Sequence, residues 1–295
     1  MNVFVLATGY IMCRHEFKYI RIFRLWRIVA GYSLGVVLTV WLLASSVDLS
    51  WRDWASAVLP VTFDSYWFFT KYVALFLTIP FLNKMLYALS SKEQIVLLLT
   101  GFGILSFSPV LTGKDLFGSS WGYSYIWFLY LYLFGACLAI REVKNKIKDR
   151  YKILFLFVGC LLATSADPLA ATLTKMIGGG GRFGELAWSY TSPLMLIEAA
   201  ALLLIFASLE VKNEVLQHTI KLAAPGTFVV YIVHMNRAFR QAVDWNHSFL
   251  ELAQHGECVA VLGTIVVSVC LFGCIVFFDC MRLLLVRFVS GLIKH

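Results

Sequence analysis

The sequence is short of charge. Only 14% of its 295 residues are Asp, Glu, Lys or Arg, where soluble domains carry roughly 25%. A chain of this length folded in water needs a polar shell around its core, and there is too little polar surface here to make one. A water-soluble globular body is thereby excluded. The seven cysteines include no Cys-x-x-Cys pair, so neither a zinc ribbon nor a disulfide framework is indicated, and no metal site is expected. Long linkers, low-complexity tracts and internal repeats are also missing. The first residues lack the basic start and cleavage site of a signal peptide. The net charge of +8 comes from basic residues scattered through short loops. It does not mark a nucleic-acid-binding face.

What the chain does have is hydrophobic length. Hydrophobic residues make up 60%, with 24 Phe, 13 Tyr and 9 Trp. A helix needs ~20 mostly apolar residues to cross the hydrocarbon. Eight stretches qualify: 28–47, 66–83, 94–113, 116–140, 153–169, 189–209, 222–239 and 258–278. A ninth, Met1 to Cys13, is apolar but covers only about two thirds of the core at ~1.5 Å per residue. It reads as the second half of a helix. The predicted fold is all-α: a polytopic transmembrane bundle in a single domain, 1–295.

Orientation follows from where the cations fall. Loops 14–27, 84–93, 141–152, 210–221 and 282–295 hold most of the 25 Lys and Arg residues. The alternate loops hold Arg52, Lys114, Lys175, Arg182, Arg237 and Arg240. The first set is expected in the cytoplasm, together with the C-terminus, and the protein is expected in the cell membrane as a multi-pass chain with the bilayer as its first partner.

Several polar residues stand out against this background. Arg21, Arg24 and Arg27 are spaced three apart, so on a helix they share one face. Guanidinium groups grip phosphates through paired hydrogen bonds, and a cytosolic phosphate-bearing donor such as an acyl-coenzyme A suits that face. An ordinary basic anchor against anionic lipid gives the same pattern. His234 falls inside a predicted span, where an ionisable group is costly. It reads either as a general base acting on a substrate hydroxyl or as a histidine satisfied by a neighbouring helix. Lys71 either snorkels to the headgroups or meets an acidic or sugar acceptor. Glu198, in mid-span, is a proton relay or a hydrogen-bonded acid. The run from Trp121 through Trp127 to Tyr132 is an aromatic belt or a platform for a sugar. Gly179, Gly181 and Gly184 formally match a dinucleotide fingerprint, but no strand precedes them, and a flexible loop is the expectation.

Four motifs together resemble the acyltransferase-3 family. Asn2-Val-Phe-Val-Leu-Ala-Thr-Gly9-Tyr10 resembles the "F-hydrophobic-SGY" end of that family's second helix. The Arg21–Arg24–Arg27 stretch follows where the family has its cytoplasmic RxxR. The segment from Trp67 through Lys71, Tyr72 and Pro80 to Asn83 resembles its "WFxxxYxxLYLxxPxLN" helix. Thr227-Phe-Val-Val-Tyr231-Ile-Val-His234 resembles its "TFGIYLIH" helix. Trp127 to Gly135 is similar to the version in surface-polysaccharide O-acetyltransferases. The likeness covers almost the whole chain.

The resemblance implies a ten-helix membrane O-acyltransferase. It would take an acyl group, with acetyl the expectation, from cytosolic acyl-CoA and pass it to a hydroxyl of a cell-surface or lipid-linked glycan. By position, Arg21, Arg24 and Arg27 would hold the donor, and His234 would line the acceptor side as the candidate catalytic residue. Lys71, Trp67, Trp127 and Tyr231 would seat the acceptor, and other glycan-synthesis proteins are conceivable partners. The family's first helix, with an Arg and the His taken as its base, has no counterpart after Met1. The expectation is therefore an N-terminally truncated domain, from a late start codon rather than a remnant gene, with little activity as written. Two other classes fit the composition: a transporter or flippase for a lipid-linked glycan, and a non-catalytic subunit of a glycan-synthesis complex.

Overall fold

The computed structural model describes residues 1–44, 47–177, 189–243 and 245–292, and no strand occurs among them. The main helices are α1 (Asn2–Met12), α2 (Ile20–Leu43), α3 (Trp51–Val58), α4 (Trp67–Ala88), α5 (Ser91–Thr112), α6 (Tyr125–Ile140), α7 (Asp149–Ile177), α8 (Pro193–Ser208), α9 (Glu214–Met235), α10 (Arg237–Val243), α11 (Trp245–Gln254) and α12 (Glu257–Leu292). Three segments are long and apolar enough to cross a membrane by length and composition: Ile20–Leu43, Ser91–Thr112 and Glu257–Val286. Asn2–Met12, Tyr125–Ile140 and Pro193–Ser208 are shorter apolar helices. The fold is that of an all-helical membrane protein.

Two predicted spans are not continuous helices. The stretch 116–140 becomes helical only at Tyr125. Before it, the Asp115 carboxylate accepts from Ser119 N and Oγ, both at 2.8 Å, and from Ser120 N at 2.5 Å. An acid that collects local amide donors in this way favours a turn over a helix. Ser120, Trp121 and Gly122 all have positive φ in that turn. The remaining 16-residue helix is about 24 Å long, short of the ~30 Å core. The stretch 222–239 breaks at Asn236, whose extended backbone (φ −62, ψ 130) ends α9. Its side-chain Oδ1 then accepts from Ala238 N at 3.0 Å and Phe239 N at 3.4 Å, which starts α10. Asparagine is among the residues best suited to that capping role. α7 runs past the predicted end at 169 to Ile177, and the glycine run at 178–181 lies outside the described residues.

The helices sort into two compact units. One contains Met1–Tyr19 and Trp67–Glu210, the other Ile20–Tyr66 and Val211–His295. In the first, α6 is buried almost all round, with Trp127, Phe128, Leu131, Tyr132 and Ala136 inaccessible. A helix apolar on every side belongs inside a body, as this one does. Its closest neighbour is α1. A Cβ placed on Gly135 would run into the backbone carbonyl of Leu6, and one placed on Gly9 into that of Tyr132. Small residues that let backbones touch are the usual means of packing helices in lipid, where the hydrophobic effect supplies little. The family-like Gly9 is thus explained by packing. Polar side chains tie the ends of α1. Asn2 Nδ2 donates to Tyr190 O at 2.7 Å, Asn83 Nδ2 to Met12 O at 3.3 Å, and Tyr87 to Cys13 O at 3.0 Å.

In the second unit, α2 packs on α3 and on α9, and α9 packs on α12. Val37 and Val40 of α2 form a small core with Ala57 and Ala238. Gly226 of α9 brings that helix against the backbone of Val276, where an added Cβ would lie 3.2 Å from its Cα. α2 is also fastened to α12 by a polar contact. Tyr32 donates to Asp279 Oδ1 at 2.5 Å, and Arg282 pairs with the same oxygen at 2.7 Å. Asp279 is fully buried, a position where a lone carboxylate is not tolerated without a cation or donor.

Candidate active site

The break at Asn236 organises a polar cavity of about 260 Å³ in the second unit. Ser33, Asp53, Ser56, Tyr66, Asn236 and Arg237 line it. Tyr66 donates to Ser33 Oγ at 3.0 Å. Asn236 Nδ2 reaches both Ser33 Oγ at 3.2 Å and the Tyr66 oxygen at 2.9 Å. All three side chains are buried. Closed trios of this kind hold their members in one geometry, because each lost bond would leave a buried group unsatisfied.

Asp53 is 5% exposed and is set in place by a capping box. Its Oδ2 accepts from Ser50 N at 2.9 Å and Ser50 Oγ at 2.7 Å, and its Oδ1 lies 3.7 Å from Arg237. The Arg237 side chain is 71% exposed. The cavity therefore offers a hydroxyl, a phenol, an amide and a guanidinium over a small opening, which are the partners that sugar hydroxyls accept.

His234 and Tyr231 stand on α9 just before the break. Their rings meet edge to face, with centroids 6.0 Å apart, and Tyr231 meets the ring of Tyr66 at 6.1 Å. His234 thus sits in the last turn of α9, whereas the predicted span ran on to Phe239. Its Nδ1 is 2.8 Å from Val230 O. A carbonyl only accepts, so Nδ1 carries the proton and donates. With Nδ1 so engaged, Nε2 is the nitrogen that can serve as a general base.

The three arginines lie at the start of α2, Arg21 half-buried and Arg24 and Arg27 exposed. They share a face as their spacing predicts. Arg24 precedes Ser33 by nine residues on one helix, about 14 Å along its axis. Among the described residues, Arg24 and Arg27 have no carboxylate partner. That leaves their charge available to an anion.

The remaining predicted residues belong to the first unit. Trp67 opens α4 and packs against Tyr123 at 4.5 Å and Tyr190 at 6.3 Å between ring centroids. Tyr123 is 48% exposed, so this group keeps an accessible aromatic face. Lys71 follows one turn later on α4 and is half-buried. Trp127 is different. It is fully buried, and its indole N–H donates to Asn2 Oδ1 at 3.1 Å. No face of that ring is open for a sugar to stack on. Glu198 Oε1 is buried without a hydrogen-bond partner among the described residues, and Gly159 faces its side chain.

Reasoning from sequence missed Ser33, Asp53, Tyr66 and Asn236. The Ser50-x-x-Asp53 spacing is a capping-box signal and was readable. Asn236 follows His234 by two, inside an otherwise apolar run, and a polar side chain there is a cue to a break. Ser33 carries no such cue.

A search for similar curated proteins and one for similar solved structures found no match. The acyltransferase-3 family model, described as an acyltransferase domain, matches residues 1–278. That span contains α1, both ends of the Asn236 break, the arginine helix and every residue of the candidate site. With apolar helices of membrane-crossing length and a family match over nearly its whole length, the chain belongs to the acyltransferase-3 family of membrane acyltransferases.

Proposed function

We propose that the chain is an O-acyltransferase that moves an acyl group, acetyl in our reading, from cytosolic acyl-CoA to a hydroxyl of a cell-surface or lipid-linked glycan. His234 carries the reading: its Nδ1 is occupied by Val230 O, which leaves Nε2 as the candidate base, and its ring is linked through Tyr231 to Tyr66, one of the residues that line the polar cavity. In the reaction the acceptor hydroxyl gives its proton to Nε2. Its oxygen bonds to the thioester carbonyl carbon, the carbon–sulfur bond breaks, and the proton passes to the departing thiolate. Arg237 and the Ser33 hydroxyl, whose own proton the trio does not use, hold the acceptor, and Tyr231 orients the imidazole from its own helix. Arg21, Arg24 and Arg27 grip the donor's phosphates. Trp67, with Tyr123 and Tyr190, offers a stacking surface for a sugar ring, and Lys71 a cation for an acidic group on it.

The test is acetyl transfer from labelled acetyl-CoA in membranes bearing the chain, expressed both as it stands and with any in-frame upstream codons. Arg24→Ala is expected to abolish labelling, and His234→Ala to lower kcat by at least a hundredfold while leaving donor KM in place. Unchanged labelling in Arg24→Ala removes the arginines from the mechanism. Glycan export that fails while acetylation persists assigns the chain to transport instead.

A further inference from the structure

The first unit contains a second cavity, larger than the polar one, that the transfer reaction does not use. It measures about 560 Å³ and lies among α5, α6, α7 and α8. This is within the 300–1,000 Å³ range of ordinary ligand sites. Its lining is almost wholly hydrocarbon. Tyr130, Leu138 and Leu204 form a buried floor, and Leu99, Phe155 and Ile197 form an exposed rim. In a membrane protein such a cleft opens to the bilayer from the side.

One end of the cleft is cationic. Arg141 and Lys152 both line it. Lys152 is 2% exposed and is already engaged, by Asp149 at 2.8 Å and Ser208 Oγ at 2.6 Å. Arg141 is not balanced in this way. One terminal nitrogen donates to Ser91 O, while its Nε is buried with no hydrogen-bond partner among the described residues. No carboxylate pairs with it there. A guanidinium without a counter-charge beside hydrocarbon is costly. A phosphate on its terminal nitrogens would supply that charge through charge-assisted bonds.

We infer that this cleft is a binding site for one anionic phospholipid, with its phosphodiester on the Arg141 guanidinium and an acyl chain lying along α5 and α6. A phosphate joined directly to hydrocarbon is the chemistry that suits both the unpaired guanidinium and the apolar groove. Basic pockets between membrane helices are known to take such headgroups. The site is independent of the transfer reaction and would hold whatever the acceptor proves to be.

The full chain, placed in phosphatidylcholine nanodiscs with graded phosphatidylglycerol, is released gently and weighed by native mass spectrometry. A single phosphatidylglycerol adduct is expected, retained at least tenfold over phosphatidylcholine. Arg141→Gln should reduce that retention at least tenfold. Lys146→Gln, an exposed cation in the same loop, should leave it unchanged. If Arg141→Gln does not fold, Ala201→Phe, which fills the groove from its floor, should exclude the adduct on its own. Equal retention of the two lipids overturns the inference, as does an equal loss in Lys146→Gln, which would mean diffuse surface attraction. Displacement of the adduct by long-chain acyl-CoA at stoichiometric concentration would assign the groove to the donor's chain and overturn it too.

Discussion

Gly135 offers the sharpest test of the packing described above. Its Cα faces the backbone of Leu6 so closely that a single methyl would overlap the Leu6 carbonyl carbon and oxygen. The obstacle is backbone, so no rotamer change relieves it, and α1 and α6 must separate. Overpacking a fitted core by one or a few carbons costs typically 1–3 kcal/mol, and a backbone clash belongs at the upper end. Alanine in place of glycine returns about 0.5–1 kcal/mol of helix propensity. The net loss for Gly135→Ala is therefore about 2 kcal/mol. Gly31 and Gly35 of α2 are the control, because an added Cβ there meets nothing within 4 Å. Gly31→Ala and Gly35→Ala should be neutral or stabilised by up to about 1 kcal/mol. Thermal unfolding of detergent-solubilised protein, followed by fluorescence-detected size exclusion, ranks the variants. Gly9→Ala should behave like Gly135→Ala. The double variant should cost less than the sum, because the first separation already makes room for the second methyl. Gly135→Ala as stable as Gly31→Ala would refute the close approach.

Four further outcomes are expected. Asn236→Ala removes two bonds to the Ser33–Tyr66 pair and the cap of α10, and should lower stability by about 1–3 kcal/mol in the same thermal assay; an unchanged melting curve would contradict the trio. Trp127→Phe strands the Asn2 amide oxygen and should destabilise by about 1–3 kcal/mol without changing acceptor KM, so a KM change with intact stability would restore a substrate role for Trp127. Trp67→Ala should instead raise acceptor KM several-fold at little cost in stability, which steady-state kinetics decides. Asp149→Asn leaves the buried Lys152 ammonium without its counter-charge and should cost about 1–3 kcal/mol, whereas Lys152→Met, matched in volume and apolar, should stay within about 1 kcal/mol; chemical-denaturation midpoints separate the two.

Much of the fold was legible because lipid demands a plain signal. Apolar runs of membrane length need no tertiary information: α5 lies where the hydropathy put it, and α2 and α12 overlap their predicted runs, α2 starting at Ile20 and α12 continuing to Leu292. The boundaries that failed did so for local polar reasons. Asp115 gathers three amide and hydroxyl donors and delays α6 to Tyr125, while Asn236 caps its own successor and splits the predicted span at His234. Those bonds depend on a side chain folding back on its own backbone, which an average over 20 residues does not register. The site was legible in part for a similar reason. The arginine spacing and His234 were visible as charge in unusual places. Ser33 and Tyr66 are ordinary residues until the break at Asn236 brings them within hydrogen-bonding distance. Trp127 illustrates the converse, since an aromatic run at an interface looks the same whether its rings face a sugar or the interior.

The single π-turn of α5, Gly103–Phe107, has a consequence of its own. It adds one residue to the helix, which rotates everything after it by about a quarter of a turn relative to what comes before. Leu99 and Phe102 ahead of it border the lipid cleft, while Ser106 within it reaches Thr191 O at 2.6 Å. One helix thereby serves two differently directed neighbours. Deleting a single residue between 103 and 107 would restore a regular spiral and swing Ser106 away from its carbonyl. Relatives of this chain that differ in length by one residue here should also differ in what stands opposite position 191.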